Sequence, residues 1–245
     1  MTRRRNDNRN LTWNITHDLG VAIVAGEYSA GAPFPTEAQL CQQFGVSRSI
    51  LREAIKMLTA KGMLSSRPRQ GITIEKEDNW NLLDSDVLSW LLERKFSLQL
   101  IREFSETRRA FEPEAAFLAA SSGSAEDIAA IENALHRMEN AKHGDDDPLE
   151  SDIAFHVAVL KASDNRFFMQ LHDLTDSALR YSIRLTNQFK GVELASINDH
   201  KAVYQAIRDK QPETARQLMV AMINEVLELI KQAQIKMDKK LASSN

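Results

Sequence analysis

The stretch "TEAQLCQQFGVSRSILREAIKMLTAKG", Thr36 to Gly62, leaves the backbone few choices. Thr36 and Gln39 have the spacing of a capping box, in which the Thr36 hydroxyl accepts from the Gln39 amide and the Gln39 side chain reaches back. The helix they open carries Leu40 and Phe44 and stops at Gly45, whose backbone turns left-handed without strain. Ser47 caps a second helix at once, and that helix runs to about Lys61 and ends at Gly62. Two short helices joined by the turn "FGVS" make a helix-turn-helix. On a wheel of about 100° per residue, Leu51, Ala54, Ile55 and Leu58 of the second helix fall on one side and must pack. Arg48, Ser49, Arg52 and Lys56 fill the adjoining sector. That sector is either an ordinary solvated face or a basic face suited to a major groove, where an arginine donates two bonds to guanine O6 and N7.

The flanking segments favour the groove. Apolar residues recur at helical spacing from Leu11 to about Ala25 (Trp13, Ile15, Leu19, Val21, Ile23, Val24), and a turn-rich loop, "GEYSAGAPFP", follows. Beyond the second helix, "MLSSRPRQGITIEK" reads as a β-hairpin with a Pro/Gly tip. Arg67 and Arg69 flank Pro68 there, and Gly71 removes a side chain where backbone would approach DNA. Helix-turn-helix plus hairpin is a winged helix. Charge divides the same way. Through Lys76 there are eleven Lys and Arg against six Asp and Glu, a balance of +5, so with −3 overall the remainder carries −8. A small basic piece on a larger acidic one is expected to meet a polyanion through the first part alone.

The expected plan is a disordered basic arm over 1–10, a winged helix-turn-helix over 11–76, a linker over 77–86, and an all-helical domain over 87–240. Breaks in that domain fall near Ser121–Ser124, Gly144–Pro148, Ser163–Asn165, Lys190–Val192 and Lys210–Pro212. The fold class is mainly α: a winged helix with a small hairpin, then an antiparallel helical bundle. No apolar run approaches the roughly 20 residues that span a bilayer. No apolar core follows the basic N-terminus as in a signal peptide. Cys41 is the single cysteine, so no intrachain disulfide forms. A cytoplasmic protein without membrane contact is expected.

Within the second half, Asp152 and His156 in "ESDIAFHVAVL" are four apart, so on a helix both project from one face. A carboxylate and an imidazole so placed can share a divalent ion, and His200 in "NDHKAVYQAI" offers a second imidazole. By spacing alone this is weak, since Asp/His pairs four apart are common on exposed helices.

"FPTEAQLCQQFGVSRSILREAIKMLTAKGMLSSRPRQGITI" resembles the winged-helix domain of the GntR family of bacterial transcription regulators, meeting nearly every fixed position of the family pattern over about 40 residues. The resemblance implies base-reading roles for Arg48 and Arg52, with Ser47 and Ser49 beside them. It places Arg67, Arg69 and Gly71 at the DNA-contacting wing. Many members carry a further DNA-contacting arginine where this chain has Ala38, so "SRSILRE" must supply more of the specificity.

The helical half is similar to the FCD ligand-binding domain of the FadR subfamily. Its metal-binding members show D-x-x-x-H on one helix, a histidine before an "AI" helix, and a last histidine. Asp152, His156 and His200 match the first three, and the last falls on Met222, a poor ligand for such a cation. The implied cofactor is a divalent metal, zinc first, with nickel or manganese as alternatives. A subfamily signature in "EFSETRRAFEPEAAFLAA" maps a pocket arginine onto Arg108; the alternative is a surface ion pair with Glu112, four residues on. Arg180 and Arg184 are candidates for the same cavity or merely solvated. With "NWNLLDSDVLSWLLER", the pattern is similar to a branch that binds sugar acids of the galactonate kind and represses the genes that degrade them.

The expectation is a homodimeric repressor that leaves operator DNA when a small carboxylate binds beside the metal. Alternatives are a regulator answering to another carboxylate (hexuronate, lactate- or pyruvate-like), a helical domain that only dimerises, or a metal-dependent enzyme using the same three ligands.

Overall fold

The computed structural model describes residues 2–31, 33–67, 71–94, 97–177, 179–180, 182 and 196–242. The chain divides into two compact units, Met1–Phe96 and Ser97–Asn245. The first holds α1 (Thr2–Val24), α2 (Glu37–Phe44), α3 (Arg48–Ala60), β1 (Leu64–Arg67), β2 (Gly71–Ile74), a 3-10 turn (Glu77–Asn79) and α4 (Ser85–Arg94).

The local signals of the helix-turn-helix are realised. Thr36 caps α2 in a full capping box: its N–H donates to Gln39 Oε1 at 2.8 Å, and its Oγ1 accepts from the Gln39 amide at 3.3 Å. Gly45 closes α2 in the left-handed region (φ 64°), and Ser47 caps α3. Leu51, Ala54, Ile55 and Leu58 are buried, with Leu40 and, from α1, Ile15 and Leu19. β1 and β2 pair antiparallel from Leu64↔Ile74 to Arg67↔Gly71.

Two expectations are corrected. The arm expected over 1–10 belongs to α1, which begins at Thr2. No glycine or proline interrupts the chain before Gly20, and extending a helix already anchored by Ile15 and Leu19 is far easier than nucleating one. Residues 77–86 are not a free linker, and α4 belongs with the first unit. Lys61 Nζ lies 2.7 Å from Asp84 and 2.8 Å from Asp86, and the Asn81 amide donates to the Lys61 carbonyl at 2.9 Å. Trp90 of α4 lies against Gly20 of α1 so closely that a Cβ there would be 2.2 Å from the ring. The lysine that caps the C-terminus of α3 and a glycine on α1 therefore hold a segment that composition alone marks as connecting chain.

The second unit is helical: α5 (Leu98–Ser122), α6 (Ala125–Lys142), α7 (Pro148–Ala162), α8 (Arg166–Met169), α9 (Ile197–Arg208) and α10 (Pro212–Ala242). Residues 172–177, 179–180 and 182 are also helical. The expected breaks near 121–124, 144–148, 163–165 and 210–212 are present; the one near 190–192 lies outside the described residues. A further start is at Ser97, which caps α5. Ala115, Ala116, Ala119 and Ala120 of α5 join Ile131, Leu135, Phe155, Leu160, Val203, Ile207 and Met219 in one buried cluster, the alanines allowing neighbouring helices to approach closely. Among the described residues no helix is long and apolar enough to cross a membrane.

Candidate functional site

In the first unit, Ser47, Arg48, Ser49, Arg52 and Lys56 are all exposed on α3. The face is less free than its composition implies. Arg52 Nε donates to Glu37 Oε2 of α2 at 3.0 Å, and Lys56 Nζ donates to Glu53 at 2.8 Å. Ser47 and Ser49 hydroxyls lie 2.9 Å apart. Arg48 makes no ion pair with a described residue. At the wing, Gly71 has φ 78°, which favours glycine, and it pairs with Arg67 in the ladder. The Arg67 side chain and all of Arg69 lie outside the described residues.

In the second unit, one turn of α7 presents Asp152 and His156, and the first turn of α9 presents His200. All three are buried, and one ligand atom from each lies within 4.8 Å of the others. Asp152 Oδ1 is 3.4 Å from His156 Nε2 and 3.1 Å from His200 Nε2.

The outer nitrogens assign the tautomers. His200 Nδ1 is 2.8 Å from the Ser196 carbonyl, an acceptor only, so Nδ1 carries the proton. His156 Nδ1 is 2.9 Å from the Glu112 carboxylate and donates in the same way. In the neutral rings, both Nε2 lone pairs then aim at an Asp152 oxygen. Arg108 Nη2 lies 3.3 Å from His156 Nε2 as well, and three acceptors facing one another leave a place where a metal ion or a proton would be held. A histidine whose other nitrogen is held by a carboxylate or carbonyl is the usual metal-site arrangement. The donor set, one carboxylate and two imidazoles, fits zinc with positions left open, and it also suits nickel or manganese.

Arg108 joins this site. Its Nε and Nη2 donate to the Glu112 carboxylate at 2.6 and 2.9 Å, so the expected pairing with Glu112 exists; it is buried, at 3% and 1% side-chain exposure, and not a surface pair. Nη2 also lies 3.1 Å from His156 Nδ1, and Nη1 takes part in none of these bonds. Burial raises the Glu112 carboxyl, but the charges of Arg108 and His156 outweigh it and hold it at about 2. Burial likewise opposes ionisation of Asp152, and the facing His200 and His156 keep it well below the usual carboxylate range. For His156, burial favours the neutral ring; the Glu112 and Asp152 carboxylates prevail and raise it.

Sequence reasoning had Glu112 only as a partner for Arg108. Its spacing four residues from Arg108 is visible, but its contact with His156 spans two helices. The Arg180 guanidinium donates to Asp176 and Glu150. Arg184 lies outside the described residues. Met222 packs against the alanine-rich core and lines a cavity of about 120 Å³ with Asp199 and Glu225.

Residues 11–74 match the family described as bacterial regulatory proteins, gntR family, and residues 103–225 match the FCD domain. The chain is 35% identical over 215 residues to the galactonate operon transcriptional repressor of Escherichia coli (strain K12), covering 87% of this chain and 94% of that protein. It is 33% identical over 218 residues to the HTH-type transcriptional regulator YieP of the same strain, covering 88% and 93%. The solved structure of Lar, described as controlling the Listeria monocytogenes agr system and mediating virulence, has a TM-score of 0.60 at 19% identity. It covers 90% of this chain and 96% of that one, a likeness of fold alone. The matching domains and relatives are transcription regulators, so the Asp/His/His cluster lies in a regulator's effector domain and not in an enzyme. The chain belongs to the GntR family of bacterial transcription regulators, with a gntR-type domain for operator DNA followed by an FCD domain for a small-molecule effector.

Proposed function

We propose that this regulator is a homodimeric repressor of genes for sugar-acid use, and that a galactonate-like aldonate bound at a divalent metal releases it from its operator. The observation that carries the reading is the convergence of Asp152 with the Nε2 atoms of His156 and His200, with the Arg108 guanidinium 3.1 Å from His156. A cation with open positions beside a buried guanidinium suits a carboxylate, and a 2-hydroxyl can share the metal with it. The sugar-acid assignment is supported by the similarity to the galactonate operon repressor.

On the DNA side, Arg48 and Arg52 read base edges from α3, with Ser47 and Ser49 beside them, while Arg67, Arg69 and Gly71 belong to the wing. The effector acts by binding the DNA-released state more tightly than the DNA-bound state. The test is calorimetry of zinc-loaded protein against a panel of aldonates, hexuronates and 2-hydroxy acids, scored together with release from DNA. Binding of an aldonate that releases DNA supports the reading. Binding of lactate or a hexuronate in its place reassigns the effector, and no binding by metal-loaded protein leaves the helical unit a dimerisation domain.

A further inference from the structure

We propose that Glu37 is a positioning residue for base recognition: it holds Arg52 by its Nε so that the two terminal nitrogens are presented together to a guanine. The inference rests on the proposed base-reading role of Arg52. Its own observation is the single bond from Arg52 Nε to Glu37 Oε2 at 3.0 Å, between residues fifteen apart that the turn after α2 brings together.

An arginine side chain has several rotatable bonds, and the Arg52 side chain is 62% exposed. Left alone, it samples many rotamers and must lose that freedom on meeting a base. Guanine offers O6 and N7 side by side, and the Nη1/Nη2 end of a guanidinium matches them. A carboxylate on Nε leaves that end unused and limits its swing. Glu37 is itself well placed to act as the fixed partner. It is the first residue of α2, directly after the N-cap Thr36, where the helix dipole favours a carboxylate. Its side chain is 37% exposed, less than that of Arg52. The neighbouring position is Ala38, so no cation beside Glu37 on α2 competes for it.

The other cations of the face differ. Lys56 is tied to Glu53 on its own helix, and Arg48 has no ion pair with a described residue. Among these cations and the described residues, Arg52 is the one held by a neighbouring helix. Glu37 also carries a negative charge close to the DNA-facing surface, where it opposes sequence-independent attraction to phosphates. One residue therefore favours the right base and disfavours random duplex, and both effects raise specificity.

The test begins with duplexes selected from a random pool by the full-length wild-type protein. Affinity is then measured for the best duplex, for versions with each G·C pair replaced by A·T, and for a scrambled duplex. Arg52→Ala is expected to lose discrimination at one G·C pair. Glu37→Ala is expected to lose about tenfold at that same pair, to bind scrambled duplex no more weakly than wild type, and to add nothing further in the Arg52→Ala background. Glu37→Gln, whose amide oxygen can still accept from Nε, should lie between. If Glu37→Ala weakens binding equally in both backgrounds, or leaves discrimination intact, Glu37 serves α2 alone and the inference is overturned while the role of Arg52 stands. If Arg52→Ala keeps full discrimination, the base-reading role fails and takes the inference with it. Thermal melting of each variant separates loss of fold from loss of positioning.

Discussion

His156 lies between two carboxylates, its Nδ1 2.9 Å from Glu112 and its Nε2 3.4 Å from Asp152. Glu112 therefore sets which imidazole nitrogen carries the proton, and through it which lone pair is free for a cation. Glu112→Gln keeps the shape but weakens the acceptor, and its amide can turn its N–H groups toward the ring. The expected result is a fall in metal affinity of about 10- to 100-fold. A chelator-competition titration checks it, and unchanged affinity would show that His156 is oriented by packing alone.

His156→Ala removes one metal ligand and one contact of Arg108. It is expected to abolish stoichiometric metal binding and effector response together. Affinity for DNA should stay within about twofold, since α3 and the wing belong to a separate compact unit. Metal analysis paired with an effector-release assay reads both. Loss of metal with effector response intact would separate the two sites.

The carboxyl of Glu112 is held at about 2, below its ordinary value of 4.5. Its contribution to stability is therefore whole above pH 4.5 and disappears as pH falls toward 2. Metal-free protein should lose stability across that window, and Glu112→Gln should show a shallower loss over the same range. His156 is shifted upward, so in the metal-free state protons compete with metal at and above its ordinary value. Metal affinity should rise with pH until the ring is neutral. Denaturant midpoints and metal titrations at stepped pH measure the two effects.

Much of the helix-turn-helix was legible because its signals are local. Thr36 with Gln39, Gly45, Ser47 and the Leu51/Ala54/Ile55/Leu58 stripe each act within a turn or two of chain. The Asp152/His156 pair was legible for the same reason. What sequence did not reveal depends on contacts between distant segments. Nothing near Asp84 or Asp86 indicates that Lys61 will sit between them, so a bound segment reads as linker. Arg52 and Glu37 are likewise fifteen residues apart, and nothing in the spacing joins them. Glu150, thirty residues away, claims Arg180 in the same way.

Thr175 is fully buried, and its Oγ1 has no hydrogen-bond partner among the described residues. Leu179, one turn on, packs with Ile153 of α7. An unsatisfied buried hydroxyl costs about 1–3 kcal/mol. Thr175→Val has nearly the same shape, so it is expected to raise the stability of the effector-free protein by about 1 kcal/mol. Thermal melts with and without aldonate check it. A Val variant that melts lower without effector would show that the hydroxyl is satisfied in solution.

Lys61 ends α3 with its ammonium between Asp84 and Asp86 and 5.7 Å from the Trp90 ring. Burial disfavours the charge, but the two carboxylates raise its pKa. Lys61→Met removes the cation and leaves two acids facing an apolar chain. With Asp84 and Asp86 at 25% and 35% side-chain exposure, water can partly replace the lysine, so the loss should be about 2–3 kcal/mol, below that of a fully enclosed pair. Adding Asp84→Asn and Asp86→Asn to Lys61→Met removes the repulsion and should recover most of it. The clasp also ties the end of α3 to the start of α4. Lys61→Met should therefore raise amide exchange in residues 77–86 more than in α1. Denaturation of wild type and the two variants with hydrogen exchange measures both, and equal exchange in wild type and Lys61→Met would show that Trp90 and Gly20 hold the segment without the lysine.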